Sequence, residues 1–230
     1  MRLLDLFSGA GGCARGYAAA GFQVFGVDTN SARLRHYPYP HHRGDALEYA
    51  AAHGREFDVI HASPPCQLYS ITRHTHSKAH PDLLAPTRDL LRGIGRPYVI
   101  ENVPGAPMPD AMVLCGTMFN LVATDLDGRQ LYLRRHRLFE SDMFLWPPDV
   151  CRCPVFAARG WQCGGAYGGG SVDRAAASVR RGGYTPPASV ARQLMGLDLP
   201  QKHLNQAIPP AYTKWVGAQI LDLLGAARVV

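Results

Sequence analysis

The chain has 230 residues, 47% of them hydrophobic and 18% charged, which places it among ordinary folded domains rather than disordered chains and suffices for one sizeable core with a small appended lobe. Its formal net charge of +6 rests on arginine, since Lys78, Lys202 and Lys214 are the only lysines; it fits a polyanionic partner and equally an ordinary basic enzyme. No run of about 18 apolar residues is present, Asp5 interrupts the apolar start a signal peptide needs, and six scattered cysteines make no disulfide framework, so a soluble, cytoplasmic protein with reduced thiols and no membrane association is expected.

Residues 2–7 read as a strand, Ser8-Gly9-Ala10-Gly11-Gly12 as a turn without bulk, and 14–20 as a helix. A second strand over 22–27 ends in Asp28. In nucleotide-binding sheets such glycines let backbone approach a ligand, and an acid near this spacing takes ribose hydroxyls. The third glycine of the dinucleotide pattern is missing, because position 14 is alanine. Gly44-Asp45-Ala46 opens a helix over 47–53, where Asp45 serves either as a helix cap or as an acceptor for an exocyclic amine.

The apolar run 57–62 is a strand that delivers Pro64-Pro65-Cys66-Gln67, followed by a polar, histidine-bearing loop over 68–81. A helix over 82–93 leads to a strand at 97–102, ending in Glu101-Asn102-Val103. This βα repetition predicts a parallel sheet, and ligands of such sheets sit outside the carboxyl ends of the strands. A cysteine and a glutamate placed just past two buried strands therefore face one crevice. A thiol and a carboxylic acid together suit attack on a ring that must be protonated as it is attacked.

Residues 128–140 alternate as strands and carry Arg134, Arg135 and Arg137; the bland reading of all three is a solvated face or phosphate contacts. Residues 141–183 have no helical or strand period and read as an inserted segment. Its Cys151, Cys153 and Cys163 follow no recognised tetrahedral spacing and lack a visible fourth ligand, so they are read as reduced, partly buried thiols with no metal assigned; the alternative is zinc held together with a histidine from elsewhere in the chain. Thr185-Pro186-Pro187 then precedes a short helix at 189–195, and 205–210 leads into an amphipathic helix over 212–224, whose apolar spacing is core packing.

The ordered set of motifs resembles the cytosine-5 DNA methyltransferases, from residue 3 to about 220. Asp5-Leu6-Phe7-Ser8-Gly9-Ala10-Gly11-Gly12 looks like the S-adenosylmethionine loop of that family. Asp28 stands at the place of its ribose-binding acid, and Asp45, with Ala46, at that of its adenine-binding one. Pro65-Cys66-Gln67 matches the nucleophile motif, Glu101-Asn102-Val103 the catalytic glutamate motif and Arg135-His136-Arg137 the paired-arginine motif. Thr185-Pro186 through Leu197 is similar to the ninth motif, and Gln206-Ala207-Ile208-Pro209-Pro210 to the tenth.

The resemblance implies an α/β, Rossmann-like methyltransferase sheet with a small irregular insert. The expected organisation is a catalytic, cofactor-binding unit at 1–140, a short target-recognition insert at 141–183 and a return to the catalytic unit at 184–230. It implies that Cys66 attacks carbon six of cytosine while Glu101 holds N3, that carbon five takes the methyl group of S-adenosylmethionine, and that Arg137 and Arg135 sit on the ring carbonyl and help keep Cys66 ionised. Asn102 is expected to steady the loop bearing Cys66. Gln67 and Ser70 are expected at the target nucleotide, and Pro65, Gln206 and Ile208 beside the cofactor. The implied partner is DNA, as a duplex with the target base rotated out of the stack, with no obligate protein partner evident.

Departures from the family pattern are the short gap at 141–183, Thr29 where an aromatic is common, Leu133 where glutamine is frequent, and Asn205-Gln206 where glycine and asparagine are usual. Two other readings keep parts of this picture. The same chemistry on RNA, single-stranded DNA or a free pyrimidine nucleotide needs little groove readout. A catalytically idle DNA-binding protein keeps the fold but has no physical need for Cys66 or Glu101.

Overall fold

A computed structural model describes residues 1–69, 81–165 and 184–227. The expected loop residues Ser70, His74, His76 and His80 lie outside the described residues, as does most of the glycine-rich part of the insert. Among the described residues no helix is long and apolar enough to cross a membrane.

A seven-stranded sheet runs in the order β3(His41–Arg43), β2(Gln23–Asp28), β1(Arg2–Leu6), β4(Val59–Ala62), β5(Tyr98–Asn102), β9(Arg137–Ser141), β6(Met112–Leu114). The strands from β3 to β5 are mutually parallel, so the βα repetition in the sequence is realised as expected; β9 pairs antiparallel with both β5 and β6. Leu6 lies level with Val27 and with Ala62, and Ala62 with Ile100. The segments after β1, β2, β4 and β5 consequently leave the sheet along one edge. Because β9 is antiparallel and Leu138 is opposite Asn102, Arg137 enters the sheet at that same edge.

Alternation along the strands divides the core. Leu3, Val59 and Val99 pack on one face with α1(Gly12–Ala20) and the C-terminal helix, α8(Pro210–Ala227); Leu4, Leu6, Ile60, Ala62 and Ile100 pack on the other with α3(Ala46–His53) and α4(Leu84–Ile94). Two residues further along each strand, Asp5, His61 and Glu101 share the α1 face with Leu3, Val59 and Val99. Tyr212, Val216 and Ile220 of α8 are fully buried there, each contributing about 1.5–3 kcal/mol. The core packing expected of this helix is thus its observed role.

Glycine permits the close approach of α1 to α8. A Cβ on Gly12 would lie 2.6 Å from the Ile208 carbonyl oxygen, and one on Gly16 would meet Thr213 Oγ1 and the Pro210 carbonyl. The Thr213 hydroxyl donates to the Cys13 carbonyl at 2.8 Å, tying the two helices together. A second, three-stranded sheet of β10(Gln162–Gly164), β8(Gln130–Leu133) and β7(Val122–Thr124) takes strands from both sides of residue 140. It packs on α6(Ala188–Met195), through Leu131, Leu133, Leu194 and Met195. Within the insert the sequence predicted no period, yet α5(Cys153–Ala158) and β10 form there; both are shorter than the window in which a period can be read.

Candidate active site

The glycine turn lies at the carboxyl end of β1. Phe7 adopts φ 56°, a left-handed conformation that costs a non-glycine residue about 1–3 kcal/mol and recurs where a site imposes it. Gly9 also has φ 56°, and a Cβ built on it would meet nothing within 4 Å, so this side of the turn is open. Gly11 and Gly12 face the protein instead: a Cβ on Gly11 would touch Pro38 at 2.9 Å, and Gly12 lies against the backbone of Ile208. Their part in the hollow is to let its walls close.

Asp28 is buried at the end of β2 and fastens this turn. Its Oδ2 accepts from the Gly9 amide at 2.9 Å and its Oδ1 from the Asn30 amide at 2.7 Å. Beside it, the buried Ser8 hydroxyl and Asp5 Oδ1 have no hydrogen-bond partner among the described residues. An open glycine turn flanked by a fixed carboxylate and orphaned polar atoms fits a polar ligand with hydroxyl groups. Asp45 is exposed, and its Oδ1 caps α3 by accepting from the Leu47 and Glu48 amides at 2.8 and 3.0 Å, so the bland reading of this residue is met. Ala46 is buried in the core behind it, and Gln206 is exposed.

Further along the edge, Cys66 is half-buried on the loop after β4, with Pro65 and Gln67 similarly placed. Asn102 Nδ2 donates to the Pro64 carbonyl at 3.2 Å, linking the end of β5 to that loop. Glu101 is 5% exposed, and Arg137 Nε lies 3.2 Å from its Oε1. The Arg137 guanidinium also donates to the His136 carbonyl at 2.7 Å.

Burial pushes the Cys66 thiol above its ordinary value, the Glu101 charge pushes it further, and Arg137 and Arg135 pull it back without prevailing. The two arginines thus act in the expected direction, lowering the thiol, but burial outweighs them. At neutral pH the ligand-free protein carries a thiol, because loss of water around the sulfur outweighs the two cations. Burial likewise raises Glu101, opposed by Arg137 and by a hydrogen bond from the Ser63 hydroxyl. Arg135 is 1% exposed and donates to the Asn205 carbonyl at 2.9 Å, while its own carbonyl accepts from the Tyr212 hydroxyl at 2.7 Å. It ties the paired-arginine segment to the tail, whereas Arg137 reaches the carboxylate; Arg134 is exposed.

A buried relay has no counterpart among the sequence motifs. The Tyr17 hydroxyl lies 3.0 Å from His61 Nδ1, His61 Nε2 lies 3.0 Å from Ser63 Oγ, and Ser63 donates to Glu101. Burial depresses His61 to about 3, so it is neutral, and the chain of donors assigns its proton to Nε2. The available signal was one imidazole inside an otherwise apolar strand, a group that needs partners when buried. A hollow of about 590 Å³ beside Met112, Phe139 and Trp146 is lined by none of these residues.

A family model described as C-5 cytosine-specific DNA methylase matches residues 1–122. The type II methyltransferase M.AquIA of Picosynechococcus sp. is 31% identical over 121 residues, covering 45% of this chain and 49% of that protein. The chain thus spans about half the length of the curated relative it matches. A crystal structure titled as a candidate DNA modification methyltransferase encoded within an E. coli prophage has a TM-score of 0.57 at 14% identity, covering 98% of this chain and 99% of that one. A mutant of Spodoptera frugiperda DNMT2 has a TM-score of 0.56 at 14% identity, covering 97% and 99%. These likenesses agree with the expected Rossmann-like methyltransferase sheet. With the family's nucleophile and glutamate motifs both inside the matched residues, the chain belongs to the C-5 cytosine-specific DNA methylase family.

Proposed function

We propose that the chain methylates carbon five of cytosine in DNA, with Cys66 as the nucleophile and S-adenosylmethionine as the methyl donor. The observation that carries this reading is the meeting of a half-buried thiol, a buried carboxyl group and a guanidinium at one sheet edge, beside an open glycine turn. When bound, S-adenosylmethionine supplies an electrophilic methyl group. Ser8, Gly9 and the backbone of Phe7 would line its hollow, Asp28 would receive its ribose hydroxyls, and Asp45 with the Ala46 amide would meet its adenine. Gly11, Gly12, Pro65, Gln206 and Ile208 complete the walls.

Half-buried Cys66 gives its proton to solvent water and adds as the thiolate to carbon six of the target ring, while the Glu101 carboxyl group hydrogen-bonds N3 and offsets the charge that develops there. Arg137 exchanges Glu101 for the ring carbonyl, leaving the acid free to hold its proton. After methylation a base takes the carbon-five proton, the bond to sulfur breaks, and Cys66 leaves as the thiolate. Asn102 and Arg135 act as positioning residues for the two segments that carry these groups. A stacked base cannot reach Cys66, so a duplex substrate must present the cytosine rotated out, with Gln67 and Ser70 at the nucleotide.

Trapping tests this reading. An oligonucleotide bearing 5-fluorocytosine, supplied with S-adenosylmethionine, forms a covalent adduct with the protein that Cys66→Ser abolishes. Duplex DNA, single-stranded DNA, RNA and the mononucleotide are compared in the same assay. The DNA reading fails if the RNA or mononucleotide arm alone reacts, and the enzyme reading fails if none does.

A further inference from the structure

We propose that Cys115, His136, Cys151 and Cys153 bind one structural zinc ion. Their ligand atoms all lie within 4.8 Å of one another. Cys115 Sγ is 3.5 Å from Cys153 Sγ, and His136 Nε2 is 3.3 Å from Cys151 Sγ. All three cysteines are free thiols. A tetrahedral zinc centre with ordinary bond lengths has S···S edges of about 3.8 Å and N···S edges of about 3.6 Å. The observed shortest edges are close to these, and rotamer adjustments on the order of 1 Å gather the rest.

Taken alone, the insert offers no fourth ligand. Cys163, which lies near Cys151 and Cys153 in the chain, is not part of the cluster. The missing pair comes from the sheet instead. In the antiparallel pairing of β6 with β9, Leu114 is opposite Arg137, so Cys115 and His136, the next residue on each side, emerge as neighbours. Cys151 and Cys153 then approach at the start of α5.

Two further features suit a metal better than packing alone. The Thr117 hydroxyl is fully buried and lies 3.4, 3.7 and 3.8 Å from the sulfurs of Cys115, Cys151 and Cys153, where it supports thiolates from outside the tetrahedron. Arg152, between the two insert cysteines, donates to the Thr117 carbonyl at 3.2 Å and brings positive charge beside a site of three thiolates, one neutral imidazole and one divalent ion. The surrounding apolar cluster is small, comprising mainly Tyr132, Phe156 and Trp161 besides the cysteines. A lobe with so little core gains most from a metal staple. Three thiolates with one imidazole select zinc among the common divalent ions.

Such an ion would fasten the insert to the segment between Arg135 and Arg137. Its presence is measured by metal content and does not rest on the methyl-transfer reading. Elemental analysis of the purified full chain, expressed with zinc supplied, is expected to give one zinc per chain. Cys153→Ser and His136→Ala should lose it, and Cys163→Ser should keep it. If the first two variants are insoluble, titration of the parent protein with an organomercurial should release one zinc into a chromogenic chelator. Cobalt substitution should give the thiolate charge-transfer band and tetrahedral ligand-field bands. Substoichiometric zinc, iron in its place, equal loss in Cys163→Ser, or a native Cys115–Cys153 disulfide in a peptide map would overturn the proposal.

Discussion

Arg137 Nε stands 3.2 Å from Glu101 Oε1, with both side chains almost wholly buried at the edge where Cys66 emerges. A buried carboxyl group of this kind is held between two tendencies. Loss of water favours its protonated form, and the neighbouring guanidinium favours the charged one. Under the proposed reaction the entering cytosine resolves the competition by drawing Arg137 to its own carbonyl.

Glu101→Gln keeps the shape and a hydrogen-bond donor but removes the transferable proton and the partner of Arg137. Methyl transfer is expected to fall by about 100- to 10,000-fold in kcat, with smaller changes in KM for the oligonucleotide. Steady-state transfer of labelled methyl groups measures both; retention of full kcat would remove Glu101 from the chemistry.

Ser63→Ala removes a donor that stabilises the charged form of Glu101, so its carboxyl group should titrate at still higher pH. The reaction needs Cys66 without its proton and Glu101 with it, so kcat/KM is bell-shaped in pH. In the variant the limb set by Glu101 should move to higher pH while the limb set by Cys66 stays, which a pH profile of both proteins reads directly. Coincident profiles would sever the relay from catalysis.

Asp5 offers a stability test. Burial raises its pKa from 3.8 to about 8, a hydrogen bond from Tyr37 lowers it in part, and the Asp28 charge raises it. Between these values the folded state holds a proton that the unfolded state has lost, so this contribution is complete below about pH 4 and disappears as pH rises to about 8. His61, depressed to about 3, acts in the opposite sense and stabilises the fold above its unfolded value. Asp5→Asn should gain stability relative to the parent as pH increases, by an amount on the order of a few kcal/mol across that window. Melting curves at pH 5 and pH 8 suffice; a constant difference between the two proteins would mean that Asp5 is not buried as a neutral acid.

Gly12→Ala places a methyl group 2.6 Å from the Ile208 carbonyl oxygen, against backbone that cannot rotate away. The expected loss is about 1–3 kcal/mol, with weaker binding of S-adenosylmethionine because the wall of its hollow is displaced. Thermal unfolding and calorimetric titration measure the two effects, and an unchanged melting temperature would contradict the close approach of α1 to the segment at 207–208.

Asn102→Ala deletes the bond to the Pro64 carbonyl and frees the loop carrying Cys66. Stability should drop by about 1–3 kcal/mol, and trapping on 5-fluorocytosine should slow even where the protein remains folded. Equal trapping rates at a temperature well below the melting point would assign Asn102 a purely structural part.

Much of this arrangement was legible because short-range rules fix it. Apolar runs that end at or just before Asp28, Cys66 and Glu101 announce buried parallel strands, and parallel strands deliver their next residues to a single edge of the sheet. Local chemistry likewise gave the Asp45 cap. The Arg135 bond to Asn205 and the pairing of Cys115 with His136 had no such signature, because each joins residues from segments whose separation along the chain says nothing of their distance in space. An antiparallel strand inserted beside β5 decides the second by setting which residues of β6 and β9 lie opposite one another, and the return of the chain at 205 decides the first. Burial decides the rest: the same thiol and carboxyl group drawn from the sequence titrate as they do only because the folded core withholds water from them.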